Sequence, residues 1–403
     1  MDKKKRLILL FVLILTVPSL LWGIFCLAFP GKREQQLKDE NRTLTRIRWH
    51  ELGDSFASVN DWYNDRAPFR SYMIKAYQKA EGRVESFFEI KIMPALSRLA
   101  KASSEGDGQG FLAPKVVGDG VILGRSSWLF LSAAGSLDYY KGTNLLSEEE
   151  LENCAEKIET LNRLCGERGI RLVVFFAPNK EQVYPEYMPD YTVENEYKRT
   201  ARLADYLNGH TGVSVLYPLK ELERGKALHG TYLRYDTHWN DYGAFIGSMS
   251  LLEALGEDAE DPFDPGLTGT VYDRTYGDLI QLGALQGRQF PEDEVFRPDF
   301  RPETKLLLEE GGYENETFCR TKSTAASSRR LVLIGDSFRI QMISYLSRAF
   351  PEALFLHRDY RDESFDAEIL SCGVLVLEAV ERFDFQLFNV ADELIALLSG
   401  QGR

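Results

Sequence analysis

Two short segments hold side chains that can do chemistry together. The first is Gly335-Asp336-Ser337-Phe338, which follows the apolar run Leu331-Val332-Leu333-Ile334. A serine at the turn between a buried strand and a helix has its hydroxyl at the carboxyl edge of a sheet, and Gly335 permits a tight turn there. The amide of Ser337 or Phe338 then lies at a helix N-terminus, where unpaired N–H groups can stabilise an oxyanion. By itself the segment is equally the N-cap of a helix. The second segment is Tyr235-Asp236-Thr237-His238-Trp239-Asn240. An Asp and a His two residues apart can place a carboxylate against one imidazole nitrogen and leave the other free as a base. Its plain alternative is a polar cap, with Asn240 starting a helix at Asp241 and His238 packed beside it. A metal site from His229, Asp236 and His238 lacks typical zinc spacing and is disfavoured.

The chain has five histidines, and the others sit in less suggestive places. His210 ends a helix, His229 precedes Gly230 in a turn, His357 ends a short strand and His50 lies near the N-terminal region. Only His238 has an acidic residue two positions before it and an aromatic directly after.

The elements around these segments read as alternating strands and helices. Val121–Gly124 and Trp128–Leu131 suggest a short hairpin. Ser147 with Glu150 three residues later is a capping box. It opens a helix with Leu151, Cys154, Ile158, Leu161 and Leu164 on one face, ending near Gly169. Leu172–Phe176 is a continuous apolar run, as expected of a strand buried on both faces. Further helices are expected over about 194–208, 241–255 and 339–349, and further strands at Val213–Leu216, Leu331–Ile334 and Val374–Leu377. The pattern predicts an α/β fold whose mainly parallel sheet is covered on both faces, with ligands beyond the carboxyl ends of the strands. Residues 257–329 are rich in Asp, Glu, Pro and Gly and read as an insertion near the site.

The N-terminus sets the compartment. Lys3, Lys4, Lys5 and Arg6 precede Leu7–Phe29, which is uncharged over 23 positions, and roughly 20 apolar residues span a bilayer. The expectation is a cytoplasmic basic segment (1–6), a transmembrane signal anchor (7–29) and an extracytoplasmic remainder. A cleaved signal peptide is the alternative. Residues 30–115 read as a helical stalk and linker, ending near the glycine-rich stretch 102–110, and residues 116–403 as the catalytic domain. With 61 acidic and 48 basic residues, the chain has a net charge of −13, which argues against nucleic-acid binding. The 403 residues hold five cysteines and no CxxC pair, which argues against a disulfide scaffold or a zinc ribbon. Cys154 and Cys165 are three helical turns apart and cannot bridge each other. Pairing by Cys319 or Cys372 is left open.

Taken with its surroundings, the pair of segments resembles the DHHW and AlgJ/AlgX group of alginate O-acetyltransferase-like proteins. The matching residues are Asp236-Thr237-His238-Trp239-Asn240 and Gly335-Asp336-Ser337-Phe338. Glu40-Asn41-Arg42, Asp65–Arg70, Trp128–Phe130, Tyr140-Lys141-Gly142, Pro178-Asn179-Lys180 and Val183-Tyr184-Pro185 also match, as do Tyr276-Gly277-Asp278-Leu279 and Glu378–Phe383. The resemblance implies a three-layer α/β/α SGNH-hydrolase-like domain in which the Asp-His pair precedes the serine. It makes Ser337 the nucleophile, His238 the base and Asp236 its orienter, in acetyl transfer through an acetyl-serine to a polysaccharide hydroxyl. It implies no cofactor and no metal. A membrane-bound O-acyltransferase would be the partner that supplies acetyl, and the N-terminal helix would hold the protein at the membrane. No separate carbohydrate-binding module is expected after residue 403, unlike the two-domain members. Asn179 and Lys180 are candidates for the second oxyanion donor, or form a plain turn. Trp239, with Tyr232, Tyr235, Tyr242, Tyr272 and Tyr276, could stack on sugar rings or fill the core. The same residues would serve a carbohydrate esterase, and a non-catalytic scaffold of a membrane acyltransferase complex is the remaining reading.

Overall fold

A computed structural model of the chain describes residues 112–311 and 317–400. Segments 1–6 and 7–29 and most of 30–115, with Cys26, lie outside the described residues. Among the described residues no helix is long and apolar enough to cross a membrane. Of the described residues, 112–279 and 289–400 form one compact unit and 280–288 belong to another. Within 280–288 a turn closes with the Leu285 amide on the Ile280 carbonyl at 2.8 Å.

The larger unit begins with a three-stranded antiparallel sheet, β1 (Val116–Val117), β2 (Val121–Leu123) and β3 (Leu129–Leu131). Helix α1 (Glu148–Gly166) follows and leads into β4 (Arg171–Ala177). The expected capping box is present at the start of α1. The Ser147 hydroxyl accepts from the Glu150 amide, and the Glu150 carboxylate accepts from the Ser147 amide at 2.8 Å. Next come α2 (Arg199–His210), β5 (Ser214–Leu216) and α3 (Asp241–Leu255). A two-stranded antiparallel ribbon, β6 (Gly269–Arg274) with β7 (Asp293–Pro298), precedes β8 (Leu306–Glu310) and β9 (Phe318–Ser323). The chain ends with β10 (Arg330–Gly335), α4 (Arg339–Leu346), β11 (Glu352–His357), β12 (Val374–Val380) and α5 (Asp384–Leu398).

The main sheet has seven strands in the order β5-β4-β12-β10-β11-β9-β8. The first five are parallel, and β9 and β8 extend the edge antiparallel. Alternate residues of the central strands feed two cores. Val173, Phe175, Leu331, Leu333 and Val376 pack with residues of α3 and α4. Leu172, Val174, Phe176, Val332 and Leu377 pack with α1, α2 and α5. That is why these strands read as unbroken apolar runs, and it makes the unit three-layered, helix on sheet on helix.

Three expectations change. Helix α2 starts at Arg199 rather than near 194, because the Glu194 and Asn195 amides donate to the Lys141 carbonyl instead. Helix α4 stops at Leu346 and continues only as a turn before Pro351. Residues 257–329 are not all separate from the sheet, since β9 pairs with β11 and β8 with β9. The four described cysteines are free thiols, and burial pushes Cys154 up to about 11 and Cys165 and Cys372 up to about 12. Burial makes Cys165, Cys319 and Cys372 packing residues rather than reactive ones, and Cys154 is half-buried.

Candidate active site

Strand β10 delivers Ser337 to the sheet's carboxyl edge. The turn after β10 is locked by Asp336, whose Oδ1 accepts from the Phe338 amide at 3.0 Å and Oδ2 from the Val380 amide at 2.8 Å. A guanidinium nitrogen of Arg358 stands 3.1 Å from Oδ2, off hydrogen-bond alignment. Burial would raise the Asp336 carboxyl, but the Arg358 charge and the two amides outweigh it and keep it below its usual range. Asp336 is thus an ionised brace for the turn. Its own amide donates to Glu378 Oε2 at 2.9 Å. Gly335 is required there, since a Cβ would come within 2.1 Å of the same Glu378 oxygen.

The Asp-His segment runs into α3. Asn240 Oδ1 accepts from the Gly243 amide at 3.0 Å, so the expected N-cap is real. The cap coexists with a fully formed chain of polar contacts. His238 Nδ1 lies 2.7 Å from Asp236 Oδ1, and His238 Nε2 lies 2.7 Å from the Ser337 hydroxyl. A carboxylate only accepts, so Nδ1 carries the proton and Nε2 accepts from the serine. The His238 amide also donates to Asp236 Oδ1, at 3.0 Å. Burial alone would lower the imidazole. The hydrogen bond and charge of Asp236, with the charge of Asp278, outweigh it and raise the group above its ordinary value. Burial likewise opposes ionisation of Asp236, but His238 holds that carboxyl well below the usual range.

The remaining candidates fall into different places. The Phe338 amide is spent on Asp336, so it is not an open oxyanion donor. An Asp whose carboxylate takes the amide two residues on is a recognisable Asx turn, a signal present in Asp336-Ser337-Phe338. The Ser337 amide keeps no partner among the described residues. Lys180 is not a donor to the site either. Its buried ammonium donates to the carbonyls of Leu233, Arg234 and Asp236 at 3.0, 3.0 and 2.7 Å, and burial lowers it to about 8. It also faces the rings of Trp128 and Phe130. Lys180 therefore holds the backbone that carries Asp236. Asn179 is buried, takes Arg382 on its Oδ1 at 3.1 Å, and leaves its Nδ2 without a partner among the described residues.

Trp239 is 0% exposed, lies edge-on to Phe175, and donates from Nε1 to the Phe338 carbonyl at 3.0 Å. It is a core residue beneath the site, not a sugar platform. Tyr232, Tyr235 and Tyr242 are also buried, with their hydroxyls on the Pro178, Pro291 and Pro262 carbonyls. The Tyr272 hydroxyl is held by Asp241, and only Tyr276 of the set is open, at 53% exposure. His229 stacks on Phe296 at 4.0 Å. A different trio, Asp236, His238 and Asp278, brings one ligand-type atom each within 4.8 Å. A cation there would displace the Nδ1 bond that aims His238 at Ser337.

Asp278, Arg274 and Arg382 were missed as site residues. Asp278 lies 3.8 Å from His238 Nδ1, Arg274 lies 3.6 Å from Asp236 Oδ2, and the Arg382 guanidinium covers the Phe338 ring at 5.4 Å. Asp278 and Arg382 fall in the runs Tyr276-Gly277-Asp278-Leu279 and Glu378–Phe383, which assign them no role, and Arg274 falls in neither.

A parallel α/β sheet carries a serine, an imidazole and a carboxylate in line at its carboxyl edge, the arrangement that serine-nucleophile chemistry requires. The chain belongs to the family of the SGNH hydrolase-like domain of the acetyltransferase AlgX, which matches residues 121–354. It is 32% identical over 143 residues to a protein of Pseudomonas putida named probable alginate O-acetylase AlgJ, covering 34% of this chain and 34% of that one. The chain thus spans about a third of the length of the curated relatives it matches. Among solved structures it is similar to Bacillus cereus PatB1 with a sulfonyl adduct (12% identity, TM-score 0.48, covering 69% of this chain and 99% of that one). A DHHW family protein from Eubacterium siraeum matches at 13% identity and TM-score 0.46, covering 71% of this chain and 98% of that one.

Proposed function

We propose that this protein is an O-acetyltransferase that moves acetyl through Ser337 to hydroxyls of a cell-surface or secreted polysaccharide. The observation that carries the reading is His238 bridging Asp236 and Ser337 at 2.7 Å on each side, within the matched family region. The name of the Pseudomonas putida relative, a probable alginate O-acetylase, supports acetyl as the group and a polysaccharide as the acceptor.

In this reading His238 Nε2 takes the serine proton as Oγ attacks the acetyl carbonyl. Asp236 keeps Nδ1 protonated and stabilises the imidazolium. The Ser337 amide and Asn179 Nδ2, neither with a partner among the described residues, are the proposed oxyanion donors. The imidazolium returns its proton to the leaving donor. An acceptor hydroxyl then attacks the acetyl-serine as His238 takes its proton, and the acetyl–Oγ bond breaks with that proton returned to Ser337 Oγ. No step needs a cofactor. The uncharged run Leu7–Phe29 would anchor the chain in the membrane, with the site on the extracytoplasmic side and a membrane-bound O-acyltransferase as donor.

The test uses an activated acetyl ester and intact mass with the wild type and Ser337→Ala. An acetyl adduct that needs Ser337 and moves to added glycan is the expected result. An adduct lost only to water would make the protein an esterase. No adduct, with glycan acetylation in cells unchanged by Ser337→Ala, would leave a scaffold.

A further inference from the structure

The reaction above assigns no role to Asp278. Yet the Asp278 carboxylate makes two hydrogen bonds to the Asp-His segment. Its Oδ1 accepts from the Thr237 amide at 2.7 Å and its Oδ2 from the Thr237 hydroxyl at 2.5 Å. Its own amide donates to Asp236 Oδ2 at 3.3 Å, and the next amide, Leu279, donates to the Tyr235 carbonyl at 3.1 Å. Gly277 makes this approach possible, since a Cβ there would lie 2.1 Å from the Tyr235 oxygen. Residues 277–279 therefore form a strap along residues 235–237, with hydrogen bonds running in both directions.

Thr237 is the residue between the carboxylate and the base, so holding it from both its amide and its hydroxyl fixes the directions of its two neighbours. An amide side chain could make much of that clamp. What only a carboxylate adds is charge: Asp278 Oδ2 stands 3.8 Å from His238 Nδ1. The charged groups acting on His238 are Asp236, Asp278 and Arg382, while Arg274 acts on Asp236 and Lys180 on both carboxylates. Burial, and then the neighbouring Asp236 charge, push Asp278 above its usual range. That mutual repulsion is relieved when the imidazole gains a proton.

We propose that Asp278 is a positioning residue of this site, clamping Thr237 so that Asp236 and His238 stay aimed at Ser337, and placing a second carboxylate beside the imidazole where positive charge develops. The proposal rests on the acyl-transfer reading for its reaction and on geometry for its contacts.

The experiment takes the full chain as wild type, Asp278→Asn, Asp278→Ala and Ser337→Ala. Two readouts are recorded against pH: the burst of nitrophenolate from p-nitrophenyl acetate, and the His238 titration by NMR of 13C-labelled histidine, assigned with His238→Gln. Asp278→Asn keeps most of the clamp and loses the charge. It should shift both the acid limb of the burst and the His238 titration to lower pH, with KM nearly unchanged and the burst rate down roughly tenfold. Asp278→Ala also loses the clamp, and a misplaced base costs up to roughly a hundredfold. Asp278→Asn curves that coincide with the wild type in both readouts would overturn the proposal. A wild type with no Ser337-dependent burst would instead overturn the acyl-transfer reading. The His238 titration would then decide alone, with a shift sustaining Asp278's place beside the imidazole and coincidence overturning it.

Discussion

The indole Nε1 of Trp239 donates to the carbonyl of Phe338 at 3.0 Å, so the residue after His238 is tied to the residue after Ser337. The two are 99 positions apart in the chain. The His238 and Phe338 rings meet at 4.9 Å above this bond, and Phe175 of β4 lies edge-on to the indole. The distance between His238 and Ser337 is therefore set by a buried polar contact between their neighbours as well as by the contact they make themselves.

Trp239→Phe keeps an aromatic ring but removes that donor, leaving a buried carbonyl unpaired and a gap beside it. The expected loss is about 2–4 kcal/mol in denaturant unfolding, from an unsatisfied group and a cavity together. The Ser337 burst should fall as well, because the turn after β10 is no longer held to α3. A variant within about 0.5 kcal/mol of the wild type and equally active would refute the coupling.

The pH dependence follows from the two shifts in the pair. His238 must be neutral to accept the serine proton, and its value is raised. The acid limb of acylation should therefore lie above the ordinary histidine value of about 6.5. Asp236→Asn should bring the limb down and cost two to four orders of magnitude, since an amide no longer fixes the tautomer. Stability moves with opposite signs at the two residues. The raised His238 contributes stability that is full below about 6.5 and is lost as pH rises through its native value. The lowered Asp236 contributes stability that is present above about 3.9 and is lost as pH falls through its native value. Urea titrations of the wild type and His238→Gln should differ more at pH 6 than at pH 9. Equal differences would contradict the shift.

What could be read in the sequence was local. Leu172–Phe176 and Leu331–Ile334 show both faces buried in their composition, and Ser337 and His238 stand at the ends of elements that composition alone marks out. The sequence leaves Lys180 open between an oxyanion donor and a turn because its partners are carbonyls more than fifty residues away, and nothing in Asn179-Lys180 says whether the ammonium faces a ligand or a backbone. Trp239 was ambiguous for a similar reason: an aromatic after a base is the same residue whether it faces sugar or core. Strands β8 and β9 were hidden in an acidic, proline- and glycine-rich stretch, where edge pairing leaves little apolar pattern to detect. Asp278 was quoted in a motif, but its role depends on the strap closing over Thr237.

Lys180→Met tests the hold on the Asp-His backbone. The methionine fills much of the same volume but leaves the Leu233 and Asp236 carbonyls without this donor and the Arg234 carbonyl with the Leu129 amide alone. A loss above about 3 kcal/mol is expected. Amides of residues 233–238 should exchange faster in the variant than the rest of the sheet edge does. Unchanged exchange across that segment would mean that the loop is held by its other bonds, such as the Leu129 amide on the Arg234 carbonyl at 3.0 Å.

Glu381 gives a prediction remote from the serine. It lies fully buried after β12, accepting from the Asn179 amide at 2.9 Å, the Tyr217 hydroxyl at 3.1 Å and Gln182 Nε2 at 3.2 Å. Burial is the largest influence, and despite the Asn179 amide it raises the carboxyl to about 8, with the nearby Glu181 charge adding to it. The unfolded chain releases that proton near about 4.3. Between these values the native state holds a proton that the unfolded state has lost, so the group's contribution declines as pH rises, by at most about 1.4 kcal/mol per unit. Glu381→Gln stays neutral at every pH. The stability of the wild type relative to this variant should therefore fall steadily from pH 5 to pH 8 and level off above it. Parallel curves would show that Glu381 is ionised throughout and that its partners, not its proton, satisfy the charge.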